Sequence, residues 1–410
     1  MATETTLELQ LQTGSGDWVV VGHLHHAGNR NWFEFDDSYW RLGDRPVLGQ
    51  IFEERGPAWQ PSARIALPHW FSHLLPEGRL RDAVAEAAHS HDVNEFELLR
   101  LLGPSDLPGA ARVVPADTRG EYVVPDGEHD EDVDRDDPLL KFSLAGVQLK
   151  FSVYGDGKGL TVPASGQAGN VILKFPDERP NFAGVPEAEL ACLKIARGAG
   201  IDAADAELVS PYDVRGLEDW ARRSQGMALA VRRFDRREDD IRVHMEEIAQ
   251  VMDIPTAVKG AKYSRANFET IAVLVAALCG VDATAAVIDR IVLNVLVGNG
   301  DAHLKNWAVR YPDGRTPALS PVYDVLPTVL YLPGDNLGLN LGGSKSFDDI
   351  VPERFDKLGA RTGFGVAQTR QRVKDAVERI TDQWPVLADH LTADAYTRLT
   401  ARRDALALMP

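Results

Sequence analysis

The sequence of 410 residues contains only two cysteines, Cys192 and Cys279. Domains stapled by disulfides and cysteine-based zinc sites both need more cysteines at short, regular spacings. Each of these two cysteines lies in an apolar stretch with a helical pattern. We therefore expect both to be core residues of a protein that works in a reducing compartment.

Long hydrophobic runs are also missing from the sequence. No stretch reaches 18 consecutive apolar residues, which is about the minimum for a transmembrane helix. The first residues, MATETTLELQLQTG, show neither the basic segment nor the apolar core of a signal peptide. We expect a cytoplasmic protein that does not enter the membrane.

Positive charge is scarce, because 44 Lys and Arg residues stand against 61 Asp and Glu residues, for a net charge of −17. Nucleic acid phosphates are bound mainly by basic side chains. An acidic chain is therefore a poor ligand for DNA on its own. We expect any contact with DNA to be indirect, through a basic partner that the acidic surface can attract.

The patterning of the chain predicts several units. Residues 1–124 begin with alternating stretches such as LELQLQ and NWFEF, which predict strands, and continue with helical patterns such as NEFELLRLLG. Residues 125–138, PDGEHDEDVDRDDP, are rich in carboxylates but lack the spacing of a calcium-binding EF-hand. They predict a solvated acidic linker.

Two further units follow the linker. Residues 139–243 place short strand patterns, NVILKFP and MALAVRRFD, on either side of the helical pattern PEAELACLKIARGAG. Helical patterns dominate residues 244–410, and DATAAVIDRIVLNVLVGNG repeats apolar residues at helical spacing. A strand-rich lobe before a helical lobe predicts an α+β fold with a ligand-binding cleft between the lobes.

Lys174 lies inside the short apolar strand pattern VILKF. Burying an ammonium group is unfavourable without a partner, so Lys174 either points to solvent from an edge strand or meets an acidic residue. Glu189, on the next predicted helix, is a candidate for that residue. Protein kinases use such a strand lysine and helix glutamate to hold the α- and β-phosphates of ATP.

The segment DAHLKN, residues 301–306, crowds polar groups directly after an apolar helix. Asp301 and Asn306 have the spacing of the kinase catalytic loop, where the Asp accepts the substrate hydroxyl proton and the Asn holds Mg²⁺. Lys305 could neutralise the transferring phosphoryl group. The His-Arg that usually precedes the Asp is absent, and a turn after a helix would also explain these residue types.

A kinase site also needs a second metal-binding Asp and a phosphate-binding loop. Asp324 in ALSPVYDVLP is the candidate Asp, although there is no DFG motif and a turn before Pro327 is an alternative. SLAGVQLK contains one glycine, Gly146, beside Ala145, where the usual kinase loop has three. Each feature is weak alone, but their order along the chain is that of a kinase.

Together these pieces resemble the HipA family, the serine/threonine kinase toxins of bacterial type II toxin–antitoxin modules. The resemblance implies a strand-rich N-terminal subdomain followed by a bilobal protein-kinase-like α+β fold with a mostly helical C-terminal lobe. The matching pieces cover nearly the whole chain in the family's order: HLLPEGRLRD, LLGPSDLPGAARV, SLAGVQLKF, VILKFP, EAELACLKIARGAGI, VRRFDRR, VHMEEIAQVM, and NGDAHLKNWAV followed by LSPVYDV.

The resemblance also implies a role for individual residues. It makes Asp301 the catalytic base, Asn306 and Asp324 the ligands of Mg²⁺, and Ser143 a regulatory autophosphorylation site. The residues that it implies for ATP binding are Ala145, Gly146, Val147, Gln148 and Lys150 of the phosphate loop, Lys174, Glu189, Arg232, Phe234, His303, Lys305 and Tyr323.

The chain departs from the family at the hinge between the lobes. The family usually has Glu-Arg-Phe-Asp-Arg there, and this chain has Arg-Arg-Phe-Asp-Arg at residues 232–236. If the usual glutamate helps to hold adenine or ribose, Arg232 cannot do so in the same way. The affinity for ATP and the preference for its base therefore stay open from the sequence.

The resemblance implies an ATP- and Mg²⁺-dependent protein serine/threonine kinase that arrests growth. Its protein substrate would be a translation component such as an aminoacyl-tRNA synthetase, and its partner a small helix-turn-helix antitoxin that contacts DNA. Two other classes stay open: a catalytically weak kinase-fold co-repressor bound to such an antitoxin, and a small-molecule kinase. ATP turnover by the isolated protein tests the first, and phosphate transfer to metabolites tests the second.

Overall fold

The computed structural model describes most of the chain and has an α+β fold. Among the helices of the described part, none has both the length and the apolar character needed to span a membrane. The predicted acidic linker, residues 125–138, lies outside the described residues. The described residues are 4–76, 94–104, 106–116, 150–156, 159–163, 168–176, 179, 182–217, 219–222, 224 and 226–409.

The N-terminal subdomain is built on a five-stranded antiparallel sheet of order β4-β3-β2-β1-β5. Leu7, Leu9 and Leu11 face its core, as the alternation of the first strand predicts. The strands are β1 (Thr5–Gln12), β2 (Trp18–Ala27), β3 (Arg30–Phe35), β4 (Ser62–Arg64) and β5 (Ala111–Pro115), and the helices are α1 (Asp37–Arg41), α2 (Gln50–Arg55), α3 (His69–Ser72) and α4 (Glu95–Leu102).

A second five-stranded sheet, of order β7-β6-β8-β10-β9, forms the next lobe. The helix α5 packs against two of its strands, β9 and β10. The strands are β6 (Lys150–Gly155), β7 (Leu160–Thr161), β8 (Val171–Lys174), β9 (Ala206–Val209) and β10 (Ala228–Arg232), and the helices are α5 (Val185–Gly198) and α6 (Asp219–Arg222). Since β8 is the central strand, the possibility of an edge strand for Lys174 is wrong.

The C-terminal lobe is mostly helical and holds a small sheet of order β11-β12-β13. Its core includes Ile288, Ile291 and Val295, which share the helical face predicted from their spacing. The elements are β11 (His244–Glu247), α7 (Ile248–Val251), α8 (Ala261–Ser264), α9 (Phe268–Cys279), α10 (Thr284–Val297), β12 (Ala308–Tyr311), β13 (Ala318–Leu319), α11 (Asp356–Thr362), α12 (Val366–Asp382) and α13 (Ala393–Asp404).

Short 3₁₀ segments connect these elements, and both cysteines are free. Cys192 is buried in α5, while Cys279 is half-buried at the end of α9 and packs against the C-terminal core. The prediction of a core position is therefore confirmed for Cys192, whereas Cys279 lies at the edge of the core. The 3₁₀ segments are Pro211–Asp213, Val281–Ala283, Leu304–Asn306, Thr328–Leu330, Phe347–Asp349, Pro352–Phe355 and Trp384–Asp389.

The end of α10 places the polar segment that follows it. Gly298 ends the helix in the left-handed region with φ 72°, and a Cβ there would lie 2.5 Å from a Val329 methyl group. Glycine is therefore required for this turn. Arg402 of α13 donates hydrogen bonds of 3.1 Å to the carbonyls of Val295 and Leu296, so the C-terminal helix stabilises the same turn.

A buried ionic network joins the N-terminal subdomain to the hinge between the lobes. Asp106 accepts hydrogen bonds from Arg233 at 2.7 Å and from Arg236 at 2.8 Å. Asp235 accepts from the backbone N–H of Gly109 at 2.7 Å. Burial alone would raise the pKa of Asp235, but the two arginines hold it well below its usual range. The residues after Arg232 in the hinge motif thus fix the position of the N-terminal subdomain.

Candidate active site

Lys174 and Glu189 meet in the interior of the second lobe. Lys174 ends the central strand β8, Glu189 lies on α5, and both are almost fully buried. The lysine Nζ is 2.6 Å from the glutamate Oε1. The pairing predicted from the strand lysine and the helix glutamate is therefore present in the structure.

Asp324 completes this cluster from the C-terminal lobe. Its Oδ1 lies 2.5 Å from the Nζ of Lys174. Burial alone would lower the pKa of Lys174, but Asp324 and Glu189 raise it above its usual value, so the ammonium stays charged. The same lysine, together with Lys150, holds the pKa of Asp324 well below its usual range despite burial. The two lobes thus meet through a charged contact.

The backbone of Asp324 is itself unusual. Its φ of 56° lies in the left-handed region, which residues other than glycine rarely adopt and aspartate tolerates better than most. This conformation follows the short strand β13 and precedes Pro327. Strained backbone of this kind is enriched at functional sites, and here it belongs to the residue that accepts the hydrogen bond from Lys174.

The segment DAHLKN forms a closed loop between α10 and β12. The side-chain N–H of Asn306 donates to the backbone oxygen of Asp301 at 2.7 Å. The backbone N–H of Lys305 donates to Nδ1 of His303 at 3.3 Å, at the start of the 3₁₀ segment. Because Asn306 uses its amide nitrogen within the loop, its side-chain oxygen is the group left to act as a metal ligand.

Asp301 stands half-exposed in this loop with its carboxylate held in place. The hydroxyl of Tyr263 donates a hydrogen bond to its Oδ1, and the Nε2 of His303 lies 3.7 Å from the same atom. Partial burial raises the pKa of Asp301 to about 6, the hydrogen bond from Tyr263 opposes the rise, and Asp324 adds to it. A positioned carboxylate of this kind can accept a proton from a hydroxyl group.

Lys305 and Tyr323 extend the site toward the hinge. Lys305 is buried, with its Nζ 3.7 Å from Oε2 of Glu247, and its carbonyl accepts a hydrogen bond of 2.9 Å from the Tyr323 hydroxyl. The Tyr323 ring lies 5.4 Å from the ring of Phe234. Arg232 is exposed, and its Nη1 lies 3.7 Å from Oε1 of the exposed Glu238. A surface ion pair of this kind contributes little to stability.

The structure thus brings most of the predicted residues to one place. Lys150 lies opposite Lys174 in the register of β6 and β8 and adds a further positive charge. The pKa of Lys150 lies below its usual value because the group is buried, and the nearby Asp324 opposes this shift only in part. The predicted loop residues Ala145, Gly146, Val147 and Gln148 and the predicted phosphorylation site Ser143 lie outside the described residues.

Two residues of the site were not predicted from the sequence. Tyr263 lies on the short helix α8, 38 residues before the Asp301 that it contacts, and no spacing rule connects them. Glu247 ends β11 and caps α7 through a capping box with Gln250. The piece VHMEEIAQVM contains Glu247 and resembles the family, so it was the only available signal for this residue.

The oxygen groups of the site fit Mg²⁺. Asp324 and Asn306 offer a carboxylate and an amide oxygen, which are the hard ligands that Mg²⁺ prefers, and Mg²⁺ usually completes its shell with water and phosphates. Within the described ranges there is no group of three or more His, Cys, Asp or Glu residues that could hold a metal ion.

Sequence comparisons connect both parts of the chain to one family. The model of the HipA-like C-terminal domain matches residues 142–384, and that of the HipA N-terminal domain matches residues 17–114. Y4dM of Sinorhizobium fredii, named as a kinase, is 38% identical over 87% of this chain and 86% of its own. The serine/threonine-protein kinase toxin HipA of Shewanella oneidensis is 24% identical over 81% of this chain and 77% of its own.

The fold has a solved counterpart over nearly its full length. The chain matches a structure of the Shewanella oneidensis MR-1 HipA, HipB and operator DNA complex with a TM-score of 0.72, covering 98% of this chain and 96% of that chain at 18% identity. The match confirms the predicted bilobal kinase-like α+β fold, with its sheet-based N-terminal subdomain and helical C-terminal lobe.

Proposed function

The chain belongs to the HipA family, and on that premise we propose that it is an ATP- and Mg²⁺-dependent serine/threonine protein kinase that acts as the toxin of a bacterial toxin–antitoxin module. The observation that carries this proposal is the cluster in which Lys174 contacts both Glu189 and Asp324 beside the loop of Asp301 and Asn306. Kinases need these groups, in this spatial arrangement, to hold the phosphates and the metal of ATP.

Each residue of the cluster has a task in phosphoryl transfer. Lys174, oriented by Glu189, binds the α- and β-phosphates, and Asn306 and Asp324 hold Mg²⁺, which neutralises the charge of the phosphates when bound. Asp301 orients the acceptor hydroxyl and takes its proton. Lys305 supplies positive charge for the transferring group. Phe234 and Tyr323 provide the aromatic wall toward the hinge.

The resemblance to the family supports finer proposals about regulation and partners. We infer autophosphorylation on Ser143, a protein substrate from translation such as an aminoacyl-tRNA synthetase, and a helix-turn-helix antitoxin that carries the DNA contacts in the bacterial cytoplasm. The net charge of −17 is suited to this division, because the antitoxin would supply the basic surface. Mass spectrometry of the purified protein after incubation with Mg²⁺ and ATP tests Ser143, with Ser143→Ala as the matched variant.

A comparison of phosphoproteomes tests the proposed function. Cells briefly expressing the wild-type protein should gain serine or threonine phosphorylation, and cells expressing Asp301→Asn should not, because the proton acceptor is lost. Asp394→Asn is the matched control, since Asp394 is exposed on α13. Equal phosphorylation by Asp301→Asn would contradict the assignment, and absent ATP turnover by the isolated wild-type protein would favour the co-repressor.

A further inference from the structure

Thr328 joins the segment that follows Asp324 to the loop that carries Asp301. It lies four positions after Asp324, at the start of a 3₁₀ segment, and it is buried. Its hydroxyl oxygen accepts a hydrogen bond of 2.7 Å from the backbone N–H of Gly300. One hydroxyl group thus connects the segment of the proposed metal ligand with the residue directly before Asp301.

The hydroxyl proton of Thr328 has two acceptors within reach. They are the Gly298 carbonyl at 3.1 Å and Oδ2 of Asp335. The Gly298 carbonyl also accepts from the Val329 N–H at 3.2 Å, and a carboxylate is the stronger acceptor for a hydroxyl group. Because a hydroxyl group has one proton to donate, the bond to Asp335 is favoured. Thr328 therefore forms a bridge from Asp335 to Gly300.

Asp335 also packs against Gly300 itself. A Cβ at residue 300 would overlap Oδ2 of Asp335 and would lie 2.5 Å from the carbonyl oxygen of Asn336. Glycine is therefore needed at this position, because a side chain would meet backbone as well as the carboxylate. The other carboxylate oxygen of Asp335, Oδ1, accepts a hydrogen bond of 2.9 Å from the Asn336 N–H. The acceptor of the Thr328 proton is thus itself held in place.

A second side chain holds the same stretch of backbone from the opposite direction along the chain. The buried Asn299 accepts a hydrogen bond of 3.0 Å from the Asp301 N–H, and its amide nitrogen donates to Oδ1 of Asn294 on α10 at 2.9 Å. The Asn299 bond ties the loop to α10, and the Thr328 bond ties it to the segment of Asp324. The backbone at Asp301 is therefore fixed relative to both neighbouring elements.

We propose that Thr328 is a positioning residue of the kinase reaction, whose hydroxyl fixes Asp301 relative to Asp324. The proposal rests on the proposed kinase function and adds a residue that acts through Asp301. Misplacing a reacting group by about 1 Å can lower a rate roughly a hundredfold. Asp324 keeps its separate contact with Lys174, so loss of the Thr328 bonds should slow the chemical step and leave nucleotide binding in place.

Thr328→Val tests this role, since valine keeps the shape of the side chain and lacks the hydroxyl. In assays of ADP release by the isolated full-length protein, kcat should fall about tenfold or more, as expected for the loss of a buried hydrogen bond with a charged partner. The KM for ATP should change by less than about twofold, because the lost bonds do not reach the nucleotide. Thr328→Ser retains the hydroxyl and should restore kcat to within about threefold of the wild type.

Thr362→Val is the matched control for stability. Thr362 is 7% exposed against 6% for Thr328, and it ends α11, from which the proposed site takes no residue. Its hydroxyl also accepts from a backbone N–H, that of Phe364 at 3.3 Å, and donates to a backbone carbonyl, that of Leu358 at 3.0 Å. Urea unfolding should show a loss of stability in both valine variants, whereas kcat should fall only in Thr328→Val.

Asp335→Ala is a second variant that acts on the same bridge. It removes the carboxylate that accepts the Thr328 proton, so kcat should fall about threefold at an unchanged KM for ATP. The double variant with Thr328→Val should be no slower than Thr328→Val alone, because residues that act through one contact are not additive. If Thr328→Val does not fold by circular dichroism, the kcat and KM of Asp335→Ala decide the proposal.

The outcomes that contradict the positioning role differ from those that contradict the kinase function. A kcat of Thr328→Val equal to that of the wild type, a raised KM for ATP at unchanged kcat, or no recovery in Thr328→Ser would overturn the positioning role alone. An equal loss of kcat in Thr362→Val would also overturn it, because stability alone would then explain the effect. A folded wild-type protein that releases no ADP would overturn the kinase function, and the positioning role with it.

Discussion

Tyr263 shows how a single residue can orient the proposed catalytic carboxylate of Asp301 without being part of a recognisable motif. Its hydroxyl bonds to Asp301, and its ring meets the ring of His303 edge-on at 4.9 Å. The carbonyl of Tyr263 accepts a hydrogen bond of 3.0 Å from the Lys345 Nζ. Contacts at both the ring and the backbone fix the tyrosine, which in turn fixes the carboxylate.

Tyr263→Phe should lower kcat while leaving the KM for ATP nearly unchanged. The variant keeps the ring but loses a hydrogen bond to a carboxylate, which is worth about 1.5–3 kcal/mol and corresponds to roughly a tenfold or greater loss of rate. Steady-state phosphorylation kinetics measure both constants. Tyr212→Phe, at a largely exposed tyrosine, is the control, and a raised KM at unchanged kcat would contradict the positioning role.

Substitutions at Lys174 allow its contribution to stability to be measured separately from its proposed role in binding ATP. Lys174→Met leaves Glu189 and Asp324 without their buried cation, so the free energy of unfolding should fall by about 3–5 kcal/mol. Adding Glu189→Leu removes one of the uncompensated carboxylates and should recover part of that loss. Neither variant should bind Mg²⁺–ATP, because the phosphate ligand is gone. Urea unfolding and nucleotide titration test the two effects, and ATP binding by the double variant would refute the role of Lys174.

At the scale of the element, β11 carries two buried groups, His244 and Glu246, whose pKa values are shifted in opposite directions. Nε2–H of His244 donates to the Leu48 carbonyl at 2.7 Å, and its Nδ1 accepts from the Ala110 N–H at 3.4 Å, which suits the neutral ring. Burial lowers the pKa of His244 from 6.5 to about 4. Two positions later, burial raises the pKa of Glu246 from 4.5 to about 7, although Trp70 and other donors bond to it.

The two pKa shifts change the free energy of unfolding with pH in opposite directions. Folded His244 binds its proton less tightly than the unfolded chain, so its contribution to stability is lost as the pH falls from 6.5 to about 4. Folded Glu246 binds its proton more tightly, so its contribution is lost as the pH rises from 4.5 to about 7. Between 4.5 and 6.5 the two slopes oppose each other in the wild-type protein.

Single substitutions in β11 should separate the two opposing pH dependences of the free energy of unfolding. Relative to the wild type, His244→Gln should become less stable as the pH rises from about 4.5 to 6.5, and Glu246→Gln should become more stable over the same range. Each difference should approach roughly 2–3 kcal/mol. Urea unfolding at several pH values measures it. Parallel curves for both variants and the wild type would show that neither group titrates with the shifted pKa.

At the scale of the whole molecule, the N-terminal subdomain is anchored to the hinge by Asp106 and its two arginines. Asp106→Asn should lower the free energy of unfolding by about 3–5 kcal/mol, because it leaves buried guanidinium groups uncompensated. Asp205→Asn is a matched control. Its ion pair with Arg197 is also 2.7 Å long but largely exposed, so its loss should be under about 1 kcal/mol. Similar losses in both variants, measured by urea unfolding, would contradict the anchoring role.

The sequence by itself determined the order of the kinase elements and the local form of most of them. Apolar residues at helical spacing predicted α10, alternation predicted β1, and the Asp301–Asn306 spacing marked the proposed catalytic loop. These features are local, because a helix or a strand repeats within a few residues and a loop motif needs only neighbours along the chain. Lys174 and Glu189 were also paired correctly, because an ammonium group buried in an apolar strand needs an acidic partner.

Only the tertiary structure decided that β8 is central, that Tyr263 orients Asp301 and that Asp106 anchors the hinge. These contacts join residues far apart in sequence: 38 positions for Tyr263 and Asp301, 127 for Asp106 and Arg233, and 176 for Trp70 and Glu246. Neither periodicity nor spacing along the chain encodes such pairs. They form because buried polar groups must find hydrogen-bond partners, and which partners are within reach depends on how the sheets and helices pack.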